Sequence, residues 1–224
     1  RWSGMTIFLA LITELVMQTK AWTTVSTPNS IPGRYLHAAA VDNNGRMWIF
    51  GGFTDGGVKA NDLYSLDLQA YADGWLAVSA SNPPSARAIH PMVVDSSNRM
   101  WIIGGFDAAG YRSDTQYLDL EAGTKSWQTV SPGGVSIYGR IGHSAVLDSS
   151  DGLWIWGHNS YNDFHYLDLQ DWSSNGWVEI AASNAPDPRR YHGAAMDAKD
   201  RMWMFGGALS DADLYNVDLQ AASK

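Results

Sequence analysis

The feature that most limits what this chain of 224 residues can fold into is a unit of about fifty residues that occurs four times in tandem. Trp22, Trp75, Trp127 and Trp177 open the units at spacings of 53, 52 and 50 residues. An Arg follows 12 or 13 residues later, at Arg34, Arg87, Arg140 and Arg189, with a His three residues beyond each: His37, His90, His143 and His192. Trp48, Trp101, Trp154 and Trp203 lie 14 residues after each Arg, and Gly51, Gly104, Gly157 and Gly206 lie 17 after it. Each unit ends around an Asp in a Tyr-x-(Leu/Val)-Asp-Leu run or a close relative of it, at Asp67, Asp119, Asp168 and Asp218. Five features kept in register through four copies identify one supersecondary unit repeated along the chain.

Each unit reads as four short strands. In the first, Trp22 to Val25 starts an outer strand, His37 to Val41 is small and apolar, Arg46 to Phe50 is aromatic and aliphatic, and Leu63 to Leu68 alternates. Turn residues separate the second strand from the third in every copy: Asp42-Asn43-Asn44-Gly45, Asp95 to Asn98, Asp148 to Gly152 and Asp197 to Asp200. A composition of 11 Trp, 10 Tyr, 6 Phe, 22 Gly and 8 Pro, with Glu only at positions 14, 121 and 179, suits short aromatic strands and tight turns. A lone four-stranded sheet leaves both faces bare, whereas sheets set radially around an axis cover one another. The strand nearest the axis must then carry small side chains, as Ala38-Ala39-Ala40 and Ala194-Ala195 do.

With these residues the chain resembles a kelch-repeat propeller, whose signature is the Arg-x-x-His, the aromatic strand ending in Gly-Gly, and the later Trp. The resemblance covers residues 22 to 224 and implies an all-β, kelch-type β-propeller of four blades with four antiparallel strands each, or an arc of a larger ring, since the family most often forms six-bladed rings. The third repeat departs from the pattern, with Gly157-His158 in place of the Gly pair. Residues 214–219 form a third-type strand, so the last blade needs a fourth; Trp22 to Val25 filling that place would close the ring. If the ring does not close on itself, an oligomer is expected. Residues 1–21 read as a leader outside the propeller, a signal or anchor: Ile7 to Met17 is an apolar run too short for a spanning helix, and Thr19 and Ala21 fit a signal-cleavage pattern.

Residues demanded by every blade are used by the blade. The Gly pairs are expected to supply positive φ or close backbone approach, and the four His to be hydrogen-bonded scaffold rather than metal ligands. Function is expected in what the scaffold leaves free, and the segment from the Gly pair to the third-strand Asp varies most, at 16, 15, 11 and 12 residues. It contributes Phe53, Asp55, Lys59 and Asp62; Phe106, Asp107, Tyr111, Arg112 and Asp114; His158, Tyr161 and Asp163; and Asp211 and Asp213. These loops share a rim with Arg34, Arg87, Arg140, Arg189 and Arg190 and with Tyr35, Tyr138 and Tyr191. Arg and Tyr dominate interaction hot spots. The candidate binding residues are therefore Arg34, Tyr35, Phe53, Arg87, Phe106, Tyr111, Arg112, Tyr138, Arg140, His158, Tyr161, Arg189, Arg190 and Tyr191. The Arg ring is expected to receive an acidic segment, with pairing of each Arg to an Asp of its own blade as the competing reading.

A net charge of −8 without any Lys/Arg-rich run offers no footprint for a nucleic acid or an anionic membrane. Absence of Cys excludes disulfides, thiol chemistry and thiolate metal sites. It also removes the Cys-Tyr cofactor that the resemblance would bring with a copper oxidase, and no Glu begins the Glu-x3-Asp-x3-His iron pattern of other relatives. No cofactor, metal or catalytic residue is assigned. The resemblance implies a module that binds a partner protein; the alternative is a sugar-type isomerase or other small-molecule propeller using His and Arg on the central face.

Overall fold

Every blade is built around one hairpin. The computed structural model describes residues 21–158, 160–208 and 212–220. In the second unit, Asn98 N–H closes the turn on the carbonyl of Asp95, with Asn98 in the left-handed region at φ 59°. The Asp95 carboxylate then accepts from the backbone N–H of Arg99 at 2.8 Å and from the indole N–H of Trp101 at 2.8 Å. Asp42 with Trp48, Asp148 with Trp154 and Asp197 with Trp203 repeat the indole contact at 2.8, 2.7 and 2.9 Å. The recurring Trp is thus fixed by the turn Asp six residues before it, so the indole donor is satisfied while the ring packs.

The hairpins extend into four antiparallel sheets. The first runs outward through Ala38–Val41, Arg46–Phe50, Leu63–Asp67 and Leu76–Ala77, and the second through Met92–Val94, Arg99–Asp107, Gly110–Asp119 and Trp127–Val130. The third runs through Ser144–Leu147, Gly152–Trp156, Phe164–Asp168 and Val178–Glu179; the fourth has the three strands Gly193–Met196, Arg201–Phe205 and Leu214–Asp218. This is the all-β, four-bladed propeller arrangement that the repeat demanded. The outer strand of each of the first three sheets begins at or beside the Trp that opens the next unit, so blades are offset from sequence units by one strand.

Apolar side chains of adjacent blades interlock into three cores. Phe50 of the first blade packs with Met100, Ile102 and Trp127 of the second; Trp101 and Ile103 pack with Leu153, Ile155 and Trp177; Trp156 and Phe164 pack with Met202 and Met204. Two ladders of hydrogen bonds stitch the same neighbours. On the Arg rim, Ile89 N–H donates to Leu36 C=O at 2.9 Å, Gly142 N–H to Ile89 C=O at 3.2 Å, and Tyr191 N–H to Gly142 C=O at 2.7 Å. All four residues are left-handed, with φ of 55°, 61°, 62° and 63° along the chain. On the opposite rim, Asn43 N–H donates to Asn98 Oδ1, Ser96 N–H to Asp151 Oδ1, and Ser149 N–H to Asp200 Oδ1, at 3.1, 2.9 and 2.8 Å.

Closure by the chain ends is not found. Residues 21–27 form no strand, Trp22 is fully exposed, and the fourth sheet keeps three strands. Phe205 and Leu214 on the fourth blade are exposed, and no apolar cluster among the described residues joins that blade to the first. On the second ladder, the position equivalent to the Asn98, Asp151 and Asp200 acceptors in the first blade is Gly45, which has no side-chain oxygen to accept an N–H from the fourth blade. The expected leader falls almost entirely on residues 1–20, outside the described residues.

The Gly pairs have the conformation expected. Gly104 and Gly105 sit at φ 61° and 98°, and a Cβ on either would come within 3 Å of a neighbour: Arg112 C=O for Gly104, and the His90 side chain for Gly105. The histidines are scaffold in a different way from that expected. His90 and His143 are buried and neither ring nitrogen of either has a hydrogen-bond partner among the described residues, whereas His192 Nε2 lies 2.9 Å from Ser144 Oγ. The imidazole of His90 packs edge-on to Phe50 of the preceding blade at 5.6 Å, filling a gap between blades. Burial, reinforced by the Arg87 charge, lowers its pKa to about 3.

Candidate interaction face

The rim that holds the variable loops is organised by the recurring Arg. Arg87 is buried, and its guanidinium donates to both oxygens of Asp114 at 2.8 Å, to Gly104 C=O at 2.9 Å, and to Ser85 Oγ at 2.9 Å. Arg34 holds Asp62 at 2.7 and 3.0 Å, and Arg140 holds Asp163 at 3.3 and 2.7 Å. Arg189, also buried, donates to Asp187 C=O and Gly206 C=O and lies over the Tyr215 ring at 5.0 Å. Each Arg therefore ties the loop entering the innermost strand to the loop entering the third strand of its own blade. An open ring of guanidinium groups awaiting an acidic segment is not present: Arg34, Arg87 and Arg140 already hold carboxylates within their blades. Burial pulls the Asp114 carboxyl up, but the hydrogen bonds and charge of Arg87 outweigh it and leave the pKa below the ordinary range.

What those ion pairs leave exposed is aromatic. Tyr35 stacks on Phe53, with ring centroids 5.2 Å apart, because residues 34–35 pair with 53–54 as a short antiparallel ladder. The Lys59 ammonium lies 5.6 Å from the Phe53 centroid and 4.1 Å from that of Phe106, bridging the first blade to the second. Phe106 meets Tyr111 edge-on at 5.8 Å, and Tyr111 meets His158 at 6.3 Å, which carries the row to the third blade. His158 stacks on Tyr161 at 4.9 Å, and Tyr161 on Tyr138 at 4.8 Å. Tyr35, Tyr111, Tyr138 and Tyr161 are exposed, so the row is a belt that presents four tyrosines to solvent, linked through Lys59 and His158.

His158 itself is buried beneath the belt, its Nδ1 accepting the Ser160 N–H at 3.1 Å. It supports the belt from below, touching Tyr111 and Tyr161. Burial, then the charge of Arg140, lowers its pKa. On the fourth blade Arg190 lies over the exposed Tyr191 ring at 5.0 Å, and Tyr191 packs against the space left by the missing side chain of Gly142. Arg112 is partly exposed, with Nε 3.4 Å from Asp107. Lys59 and Arg190 are thus cations standing over rings of this rim, while Arg112 faces Asp107 and Asp114. Lys59 was not among the sequence-derived contact residues; its place in the longest variable loop was the signal available. Asp211 lies outside the described residues. Among the described residues no three His, Asp or Glu side chains gather where a metal could be held.

Comparison with known proteins bears on what such a rim is for. A family model, the KLHDC2/KLHL20/DRC7 Kelch-repeats domain, matches residues 9–207. Adagio protein 3 of Arabidopsis thaliana is 28% identical over 215 residues, covering 88% of this chain and 34% of the relative. Acyl-CoA-binding domain-containing protein 6 of Oryza sativa subsp. japonica is 30% identical over 200 residues, covering 83% and 29%. Kelch domain-containing protein 10 of Xenopus tropicalis is 25% identical over 205 residues, covering 85% and 47%. The chain spans about a third of the length of the adagio relatives it matches.

Proposed function

Since the chain belongs to the Kelch-repeat domain family, whose propellers generally serve as protein-interaction modules, we propose that its aromatic rim docks an extended segment of a partner protein. The observation that supports this is the belt itself: Tyr35, Phe53, Phe106, Tyr111, Tyr161 and Tyr138 follow one another across three blades, with Lys59 joining Phe53 to Phe106 and the buried His158 joining Tyr111 to Tyr161. Tyr offers large contact area with little side-chain entropy to lose, and the paired Arg–Asp struts beneath hold the rings in place before binding. An acidic segment fits the cations that stand beside the rings, Lys59 and Arg190, and not the Arg ring beneath them.

The test compares protein captured by the immobilised chain with that captured by Tyr111→Ala/Tyr138→Ala and by Lys59→Ala, with Ser150→Ala on the opposite rim as control. One stoichiometric protein, lost with the belt variants and kept with the control, is the expected result. A co-purifying metabolite with no protein, or capture indifferent to the belt, would turn the reading over in favour of a small-molecule propeller or of another face.

A further inference from the structure

The loops flanking the third blade leave between them a cleft of about 760 Å³, at the end of the belt. Tyr138, Tyr161, Asp163, His165 and Glu179 line it, and neither Lys nor Arg does. The charged groups around His165 are Asp163, Arg140 and Glu179. Arg140 is fully buried and closed on Asp163, so those two cancel and the exposed Glu179 carboxylate is the unbalanced charge. His165 lies cross-strand from Glu179; it is buried, and its Nδ1, 3.5 Å from Asp163 Oδ2, has no hydrogen-bond partner among the described residues.

His165 is also a departure from the repeat. Tyr64 and Tyr215 stand at this position in the first and last blades, where each caps the Arg of its own blade at 5.1 and 5.0 Å. The second blade has Gln116 there and the third His165, so in the third blade an imidazole rather than a phenol faces the cleft. One face of Tyr138 is taken by Tyr161, while the residue as a whole is 59% exposed.

We propose that this cleft receives an arginine side chain of the partner segment, its guanidinium paired with Glu179 and stacked on Tyr138. A planar, weakly hydrated cation fits a carboxylate beside an aromatic face, and the cleft has more room than a compact ammonium would fill. The source of the arginine rests on the belt reading; the chemistry of the cleft does not. Lys59 lies over Phe53 and Phe106 towards the other end of the belt, so the cleft gives the face a polarity: an acidic residue beside Lys59 and an arginine at the third blade.

The probe is N-acetyl-arginine amide, titrated into the isotope-labelled full chain and followed by amide chemical shifts, with N-acetyl-citrulline amide as its neutral isostere. The arginine probe should shift amides around residues 160–165 and 177–180, and citrulline should bind roughly tenfold more weakly. Glu179→Gln should bring the arginine probe down to the citrulline level, and Tyr138→Ala should weaken it; both side chains are exposed, so melting should stay at the parent value. Equal binding of the two probes, arginine binding that survives Glu179→Gln, or no shift at millimolar probe would overturn the proposal. Arginine binding with belt-independent partner capture would overturn the belt reading alone, whereas belt-dependent capture without arginine binding would overturn the cleft alone.

Discussion

Replacing Arg87 by Ala should lower stability far more than a surface substitution would. The side chain is 1% exposed, and its loss removes both bonds to Asp114 together with those to Gly104 C=O and Ser85. Asp114 would keep only the Gln116 amide at 2.5 Å and the distant Arg112 at 3.9 Å. Breaking one side of a buried pair costs about 3–5 kcal/mol; the solvent that still reaches Asp114 and the remaining amide place this one near about 3. For a chain of this size that is a fall in Tm of roughly 6–12 °C. Differential scanning calorimetry measures it, and Asp114→Asn in the Arg87→Ala background should recover part of the loss by removing the stranded charge. A variant melting within about 1 °C of the parent would refute the structural role. It would return Arg87 to the pool of ligand-binding residues.

Gly142→Ala should destabilise by at least about 1–2 kcal/mol, the cost of a left-handed side chain, because φ is +62° and the new Cβ would lie 2.7 Å from the Tyr191 ring; urea unfolding checks it, and an unchanged midpoint would contradict the inter-blade ladder. His90 and His192, held neutral by burial with pKa values lowered to about 3 and about 4, take up protons only on unfolding as pH falls below about 6.5. Stability should therefore be full near pH 7 and decline as pH falls from about 6.5, a decline seen apart from carboxylate protonation down to about pH 5; His90→Leu should flatten this slope, and an unaltered slope would count against it.

The repeat period, the four-stranded unit, the hairpin turns, the small innermost strand and the positive-φ Gly pairs were all legible in the sequence. Each is a local demand: a turn needs its Asp and Gly, a strand its alternation, a crowded axis its Ala, and four copies of the same demand leave one architecture. The partner of each recurring Arg was not legible, because Asp62, Asp114 and Asp163 stand 28, 27 and 23 residues away and only the antiparallel return of the third strand brings them back. Nor was the unbonded burial of His90 and His143, which depends on the neighbouring blade. Leu36, Ile89 and Tyr191 carry no sign of left-handed backbone; the inter-blade hydrogen bonds impose it. Tyr35, Phe53, Lys59, Phe106, Tyr111, His158, Tyr161 and Tyr138 were visible as residue types on variable loops, but their order as a single belt is a property of the radial arrangement. Loops nearly fifty residues apart in the chain, as at Lys59–Phe106 and Tyr111–His158, become neighbours only when sheets stack around an axis. The chain ends show the same limit: pairing Trp22–Val25 with the last blade satisfied the strand count, but strand count is a local property, and in the structure residues 21–27 form no strand and the fourth sheet keeps three.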